Sequence, residues 1–347
     1  MRLKQKLADN LKNLRGWRTS RRYVAFAVDD YANVRVASKA ARERLTKAGL
    51  DMSSQMDRCD TVETREDLEA LFEVLNGVRD GHGRPAIFTA YALSANPDFE
   101  RIRTAGDQYY AESISSTFER LAAEQAGAYD GAWRLWKEGM AKGLIWPQFH
   151  GREHLNLDLF EYKLKSGSRD LRANLENDSV AALSDEVAMP GVGFSHAFGL
   201  HQRSELNRHR EIIQDGLDRF EKVWGFRSTT FTPPALKLHP SLGDYATQYG
   251  VRAVHKPIHC RRPLGDGTSR REINRSGSML GQNHLTIVRN VVFEPCKPMG
   301  FDPISRAIAQ VEAAFRWKKP AIISSHRSNF SCHLDADNRK KGLRALE

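Results

Sequence analysis

Trp146-Pro147-Gln148-Phe149-His150-Gly151-Arg152-Glu153-His154-Leu155-Asn156 is the stretch from which the rest of the chain can be read. An apolar run beginning at Gly143 leads into two histidines four residues apart, with glycine, arginine and glutamate between them. Two imidazoles at this interval can face one divalent ion, because positions i and i+4 of a helix share a face; a loop can also bring them together. Alone the pair is a weak signal, since the same spacing arises among ordinary surface histidines. Its weight depends on a carboxylate delivered by another strand.

Arg22 to Val28 is rich in β-branched and aromatic residues and predicts a buried strand, which ends in Asp29-Asp30-Tyr31. Adjacent carboxylates beyond an apolar strand must be solvated, capped or paired with a cation. Further strands are expected over Ala86–Leu93, from Gly143 to Phe149, and over Phe226–Phe231, Val251–His255, Thr286–Phe293 and Pro320–Ser325. Between them, amphipathic patterns predict helices over 38–45, 66–78, 113–125, 132–142, 203–224 and 302–316, with a long helical region over 157–183. Asp335 to Leu346 reads as a closing helix, and Arg261 to Ser278 as a basic surface loop able to cover a site. Strand and helix thus alternate about seven times, the pattern of parallel strands wrapped by helices. In such barrels the C-terminal strand ends converge. Asp29 and Asp30, His150 with His154, the Pro233-Pro234 turn and His326 all fall at such ends, so one carboxylate and two imidazoles could hold a metal with a position open.

The composition, 40% apolar and 28% charged, is that of a globular chain, and no apolar run is long enough to span a bilayer. The basic segment 1–22 lacks the apolar core of a secretory signal, so a cytoplasmic location is expected. Cys59, Cys260, Cys296 and Cys332 are scattered and read as reduced thiols. A net charge of +10 favours an anionic partner, such as an acidic polysaccharide, but no nucleic-acid motif accompanies it and nucleic-acid binding is not expected. The glycines have neither Gly-x-Gly-x-x-Gly nor P-loop spacing, which leaves nucleotide binding without support. Leu3, Leu7, Leu11 and Leu14 mark a basic amphipathic helix within 1–21, expected to pack on the body of the protein rather than on a membrane surface.

Val28-Asp29-Asp30-Tyr31, His150-x-x-x-His154, the Pro-Pro turn and Ser325-His326 resemble, in order, the motifs of the polysaccharide deacetylase superfamily, carbohydrate esterase family 4 and its relatives. Phe149–Asn156, Arg289–Pro295 and Lys319–Arg327 are similar to a bacterial polysaccharide (de)acetylase-like subgroup, and the likeness runs from Arg22 to the end of the sequence. The resemblance implies a distorted (β/α)7 barrel of the glycoside hydrolase/deacetylase kind over 22–347. Little sequence follows His326, which sets the expectation that the usual last strand is lacking. It also implies that Asp30, His150 and His154 hold a divalent metal of the zinc type, that Asp29 is the general base and that His326 is the general acid. Ala235 would offer a backbone N–H to the oxyanion, with Arg289 and Glu294 among the oxyanion or substrate groups. The implied activity is removal of acetyl groups from an acetylated polysaccharide or a lipid-linked glycan precursor.

Two positions depart from the pattern: Thr232 stands where the family has an arginine that pairs with the base, and Ala235 where it has a tyrosine; Arg289, Glu294, Arg152 or Arg327 could compensate, although each also reads as a structural ion pair. Two further readings therefore stand beside the hydrolase. One is a non-catalytic glycan-binding relative. The other is a glycoside hydrolase using Asp29 and Glu294.

Overall fold

Short, mostly apolar runs form β1 (Val24–Tyr31), β2 (Phe88–Ala92), β5 (Ile145–Phe149), β6 (Thr230–Phe231), β7 (Ala253–His255), β10 (Leu285–Ile287), β11 (Val291–Val292) and β12 (Ala321–His326), and more polar segments form β3 (Ala95–Pro97), β4 (Ala111–Ser113), β8 (His259–Pro263) and β9 (Ser269–Ile273). The computed structural model describes residues 3–106, 108–266, 268–279 and 282–347. Met1 and Arg2 of the expected 1–21 segment, and Gly267 of the expected 261–278 loop, lie outside the described residues.

Eight strands form one curled sheet in the order β10-β7-β6-β5-β2-β1-β12-β11, with every neighbouring pair parallel. Its two edges are successive pieces of one stretch. Residues 285–287 pair with β7, and after Val288–Asn290 the chain pairs with β12 through Val291 and Val292. The single strand expected over Thr286–Phe293 is therefore divided, because it must change partners to bring the two ends of the curled sheet together. Seven segments of chain thus supply eight strands, in an α/β fold of the distorted (β/α)7 kind.

The register explains why distant residues meet. Asp29 lies opposite His326 across the β1–β12 pair. Phe149 lies opposite both Ala92 and Phe231, so His150 and Thr232 leave the sheet at one level. Phe88, Phe149 and Phe231 are fully buried in the core, as is Trp136 on the helix Ala132–Ala141. Leu135 and Trp136 are core residues, with Trp133 and Met140 packed against them, as the helical spacing predicts.

Three local expectations are corrected. The long helix over 157–183 is two helices, Leu157–Ser166 and Arg169–Leu175, separated at Gly167, whose left-handed backbone (φ +66°) ends the first. Arg261–Ser278 contains the second strand of an antiparallel hairpin, β8–β9, rather than being a loop throughout. The helix Leu3–Leu11, α1, carries its leucines outward: Leu3, Leu7, Leu11 and Leu14 are 83%, 58%, 54% and 37% exposed, while Asp9 and Asn13 are buried. Its polar face docks because Arg306 and Gln310 donate to the Asp9 carboxylate and Asn290 donates to Asn13 at 2.9 Å, so specific hydrogen bonds set its orientation. All four cysteines are free.

Candidate metal centre and active site

β1 does not end as a regular strand. Its pairing with β2 slips between Val28 and Tyr31, and Asp30 takes φ +75°, a conformation that costs energy for any side chain but glycine. The surroundings hold it there. Asn96 donates to the Ala32 carbonyl at 2.8 Å and accepts from the Val34 amide at 2.9 Å, and the Ala32 amide donates to Glu63. Glu63 and Asp60 are bound in turn by Arg327, which is fully buried, at 2.8 and 2.6 Å. Asn96, just beyond β2, thus acts on the end of β1.

Asp30 Oδ1 lies 3.1 Å from His150 Nε2 and 3.3 Å from His154 Nε2, and one ligand atom from each of the three residues lies within 4.8 Å of the others. Both histidines sit in the irregular segment after β5 rather than on a helix. The His150 Nδ1–H donates to the Thr232 carbonyl at 2.7 Å, which turns Nε2 toward Asp30. A lone pair opposed to a carboxylate oxygen at this distance is repulsive unless a cation or a proton lies between them. This donor set, one carboxylate and two imidazoles oriented from behind by a carbonyl, suits a divalent ion of the zinc class. Burial alone would raise the Asp30 pKa; contacts with His150 and His154 outweigh it and hold the carboxyl well below its usual range.

Asp29 has a different partner. Arg289 donates to both its oxygens, at 2.5 and 2.7 Å, and to the Thr232 hydroxyl at 2.9 Å. The Arg289 Nε–H donates to His255 Nδ1 at 2.9 Å, and His255 Nε2 meets the Tyr91 hydroxyl at 2.8 Å. Burial, then the charges of Arg289 and His150, hold the His255 pKa well below normal, so the ring is neutral with its proton on Nε2. His326 forms the other flank. Its Nδ1 is 2.6 Å from Glu294, whose second oxygen accepts from Asn329 at 2.6 Å. Burial opposes protonation of His326, but Glu294, followed by Asp30 and Asp29, raises its pKa to about 10. Its side chain is 40% exposed, so solvent screens part of this effect.

Arg289 and Glu294 are thus engaged with Asp29 and His326. Ala235 is exposed beside the cluster at φ +54°, in the turn that Pro234 presses against Gly151. Arg152 and Glu153 bind each other at 2.6 Å, and Arg152 also binds Asp215 at 2.8 Å, so both belong to the fold. His154 opens onto a cleft of about 220 Å³ that is also lined by Asn33, Arg35, Asp185, Ser195 and His196. Sequence reasoning missed Tyr91, His255 and Asn329. A histidine ending the β7 run was the one available signal among them.

No protein-family model matches the chain, and no curated protein matches it in sequence. Solved structures resemble its fold at 10–12% identity. A structure from Mycobacterium smegmatis named as a candidate polysaccharide deacetylase aligns over 96% of this chain and 85% of its own, with a TM-score of 0.42. The family 4 carbohydrate esterase from Streptomyces lividans, in complex with acetate, aligns over 93% and 87%, with a TM-score of 0.34. The 4-alpha-glucanotransferase from Thermococcus litoralis aligns over 94% of this chain, which spans 37% of that enzyme, with a TM-score of 0.43.

Proposed function

We propose that the protein is a metal-dependent hydrolase that removes N- or O-acetyl groups from a bacterial polysaccharide or its lipid-linked precursor. The observation that carries this reading is the grouping of Asp30, His150 and His154 at the strand ends that also deliver Asp29 and His326. A zinc-class ion held there would polarise the acetyl carbonyl and acidify water. Asp29, oriented through both oxygens by Arg289, takes the proton of the attacking water as the water oxygen bonds to the acetyl carbon. His326, kept protonated by Glu294, gives its proton to the departing amine or alkoxide as the bond to the acetyl carbon breaks. Acetate and the free amine or hydroxyl are the products. The Ala235 N–H is proposed to face the oxyanion.

Arg289 occupies the partner role that the resemblance gives to an arginine at position 232, which favours a working site over a non-catalytic relative. Asp29 and Glu294, the pair a glycoside hydrolase would need, are each committed to a basic side chain. Acetate release from chitin-like or acetylated-xylan oligomers tests the proposal: it should need added zinc-class metal and be abolished in Asp29→Asn. Cleavage of the glycosidic bond without acetate release would overturn it.

A further inference from the structure

The outward leucines of α1 belong to a larger surface. Between residues 3 and 22 there are seven basic residues and one acidic residue, Asp9, which is buried against Arg306. At helical spacing Lys4 and Lys6 fall on either shoulder of the leucine stripe. Leu11 and Leu14 continue into a groove of about 670 Å³, lined also by Val288 and by Ile273 of β9, with Arg15 and Arg275 beside them. Ile273 is 64% exposed.

The second wall of this groove is independently cationic. Across the β8–β9 hairpin Arg261 lies opposite Arg271, and Arg262 opposite Arg270. Like charges in directly opposed positions destabilise a strand pair. Glu272 pairs with Arg262 at 2.9 Å, but among the described residues Arg261, Arg270 and Arg271 have no ion-pair partner. Arg261, Arg271 and Ile273 lie at alternate strand positions on the exposed face of the hairpin, so arginine and isoleucine face outward together.

We infer that α1 and the β8–β9 hairpin form a docking surface for an anionic lipid bilayer. Leucines enter the interface, lysine stems on the shoulders reach the headgroups, and the opposed arginines gain the anionic neighbours that the protein does not supply. A second copy of the chain is the poorer occupant, because it would set the same positive surface against itself. The segment that follows α1 is held by Lys319, which donates to the Trp17 carbonyl at 2.8 Å and precedes β12, the strand whose far end carries His326. The surface is therefore separate from the candidate metal centre, and the inference does not depend on the proposed activity.

Co-sedimentation of the full chain with vesicles tests it. The protein should bind vesicles of phosphatidylcholine and phosphatidylglycerol in equal parts at least about tenfold more tightly than phosphatidylcholine alone, and less so at high salt. Leu7→Glu with Leu11→Glu should abolish this binding, and Arg261→Glu with Arg271→Glu should weaken it about tenfold or more. Circular dichroism and metal content should be unchanged in both variants, since the side chains are exposed. Equal binding to neutral and anionic vesicles, or full binding by both variants, would overturn the inference. So would a self-associated protein that ignores vesicles and becomes monomeric in the leucine variant, which would show a second copy on this face.

Discussion

Arg289 holds both carboxylate oxygens of Asp29 from a position 260 residues away in sequence and also donates to the hydroxyl of Thr232. One guanidinium thus bridges the expected general base and the position where the resemblance places a different arginine.

Arg289→Ala should lower acetate release at least about a hundredfold and destabilise the protein by about 3–5 kcal/mol, because Asp29 would be left buried without its partner. Adding Thr232→Arg to this variant should recover part of both losses. Urea denaturation and initial rates measure the two effects; a double variant no better than Arg289→Ala would separate position 232 from this role.

Metal analysis should find about one zinc-class ion per chain, lost in His150→Ala and in His154→Ala. Chelation should lower the midpoint of thermal unfolding of the parent protein and leave that of these variants unmoved. Retention of stoichiometric metal by the double variant would remove the ligand assignment.

The folded-state pKa of His326, about 10, lies above its ordinary 6.5. Its contribution to stability is therefore fully present below about pH 6.5 and is lost as pH rises toward 10. The alkaline limb of the activity profile should follow the same proton. Glu294→Gln removes the anion that raises this pKa and should move that limb to lower pH, with little change in bound metal. An unmoved limb would assign the proton to another group.

Gly342 touches the turn that carries Asn329. A Cβ at 342 would stand 1.6 Å from the Asn329 carbonyl oxygen, so Gly342→Ala must displace this turn. Asn329 binds Glu294 and the His326 carbonyl, so activity should fall by at least about tenfold. The variant should keep its metal, because Asp30, His150 and His154 do not touch Gly342.

Loss of Arg327 should be a stability defect. Arg327→Met leaves Asp60 and Glu63 buried without a cation and should cost about 3–5 kcal/mol in urea denaturation. Leu7→Glu on the exposed face of α1 should cost less than about 0.5 kcal/mol by the same measurement.

The order of strands and helices was legible in the amino-acid sequence because each apolar run is short, β-branched or aromatic, and ends in polar residues; the Asp29-Asp30 pair and the His150–His154 spacing stood out for the same reason. Periodicity reports which side chains avoid water, but it does not report which strand a segment pairs with or what lies behind a ligand. It therefore could not foresee that residues 285–292 change partners, which of several candidate residues reaches Asp29, or that Tyr91 and His255 stand behind Arg289. Those contacts join residues far apart in the chain, and the register of the curled sheet decides them. In α1 the local pattern pointed the other way. Its leucines predicted an inward face, but Asp9 and Asn13 had specific partners on the barrel wall, and pairing those buried polar groups turned the leucines outward.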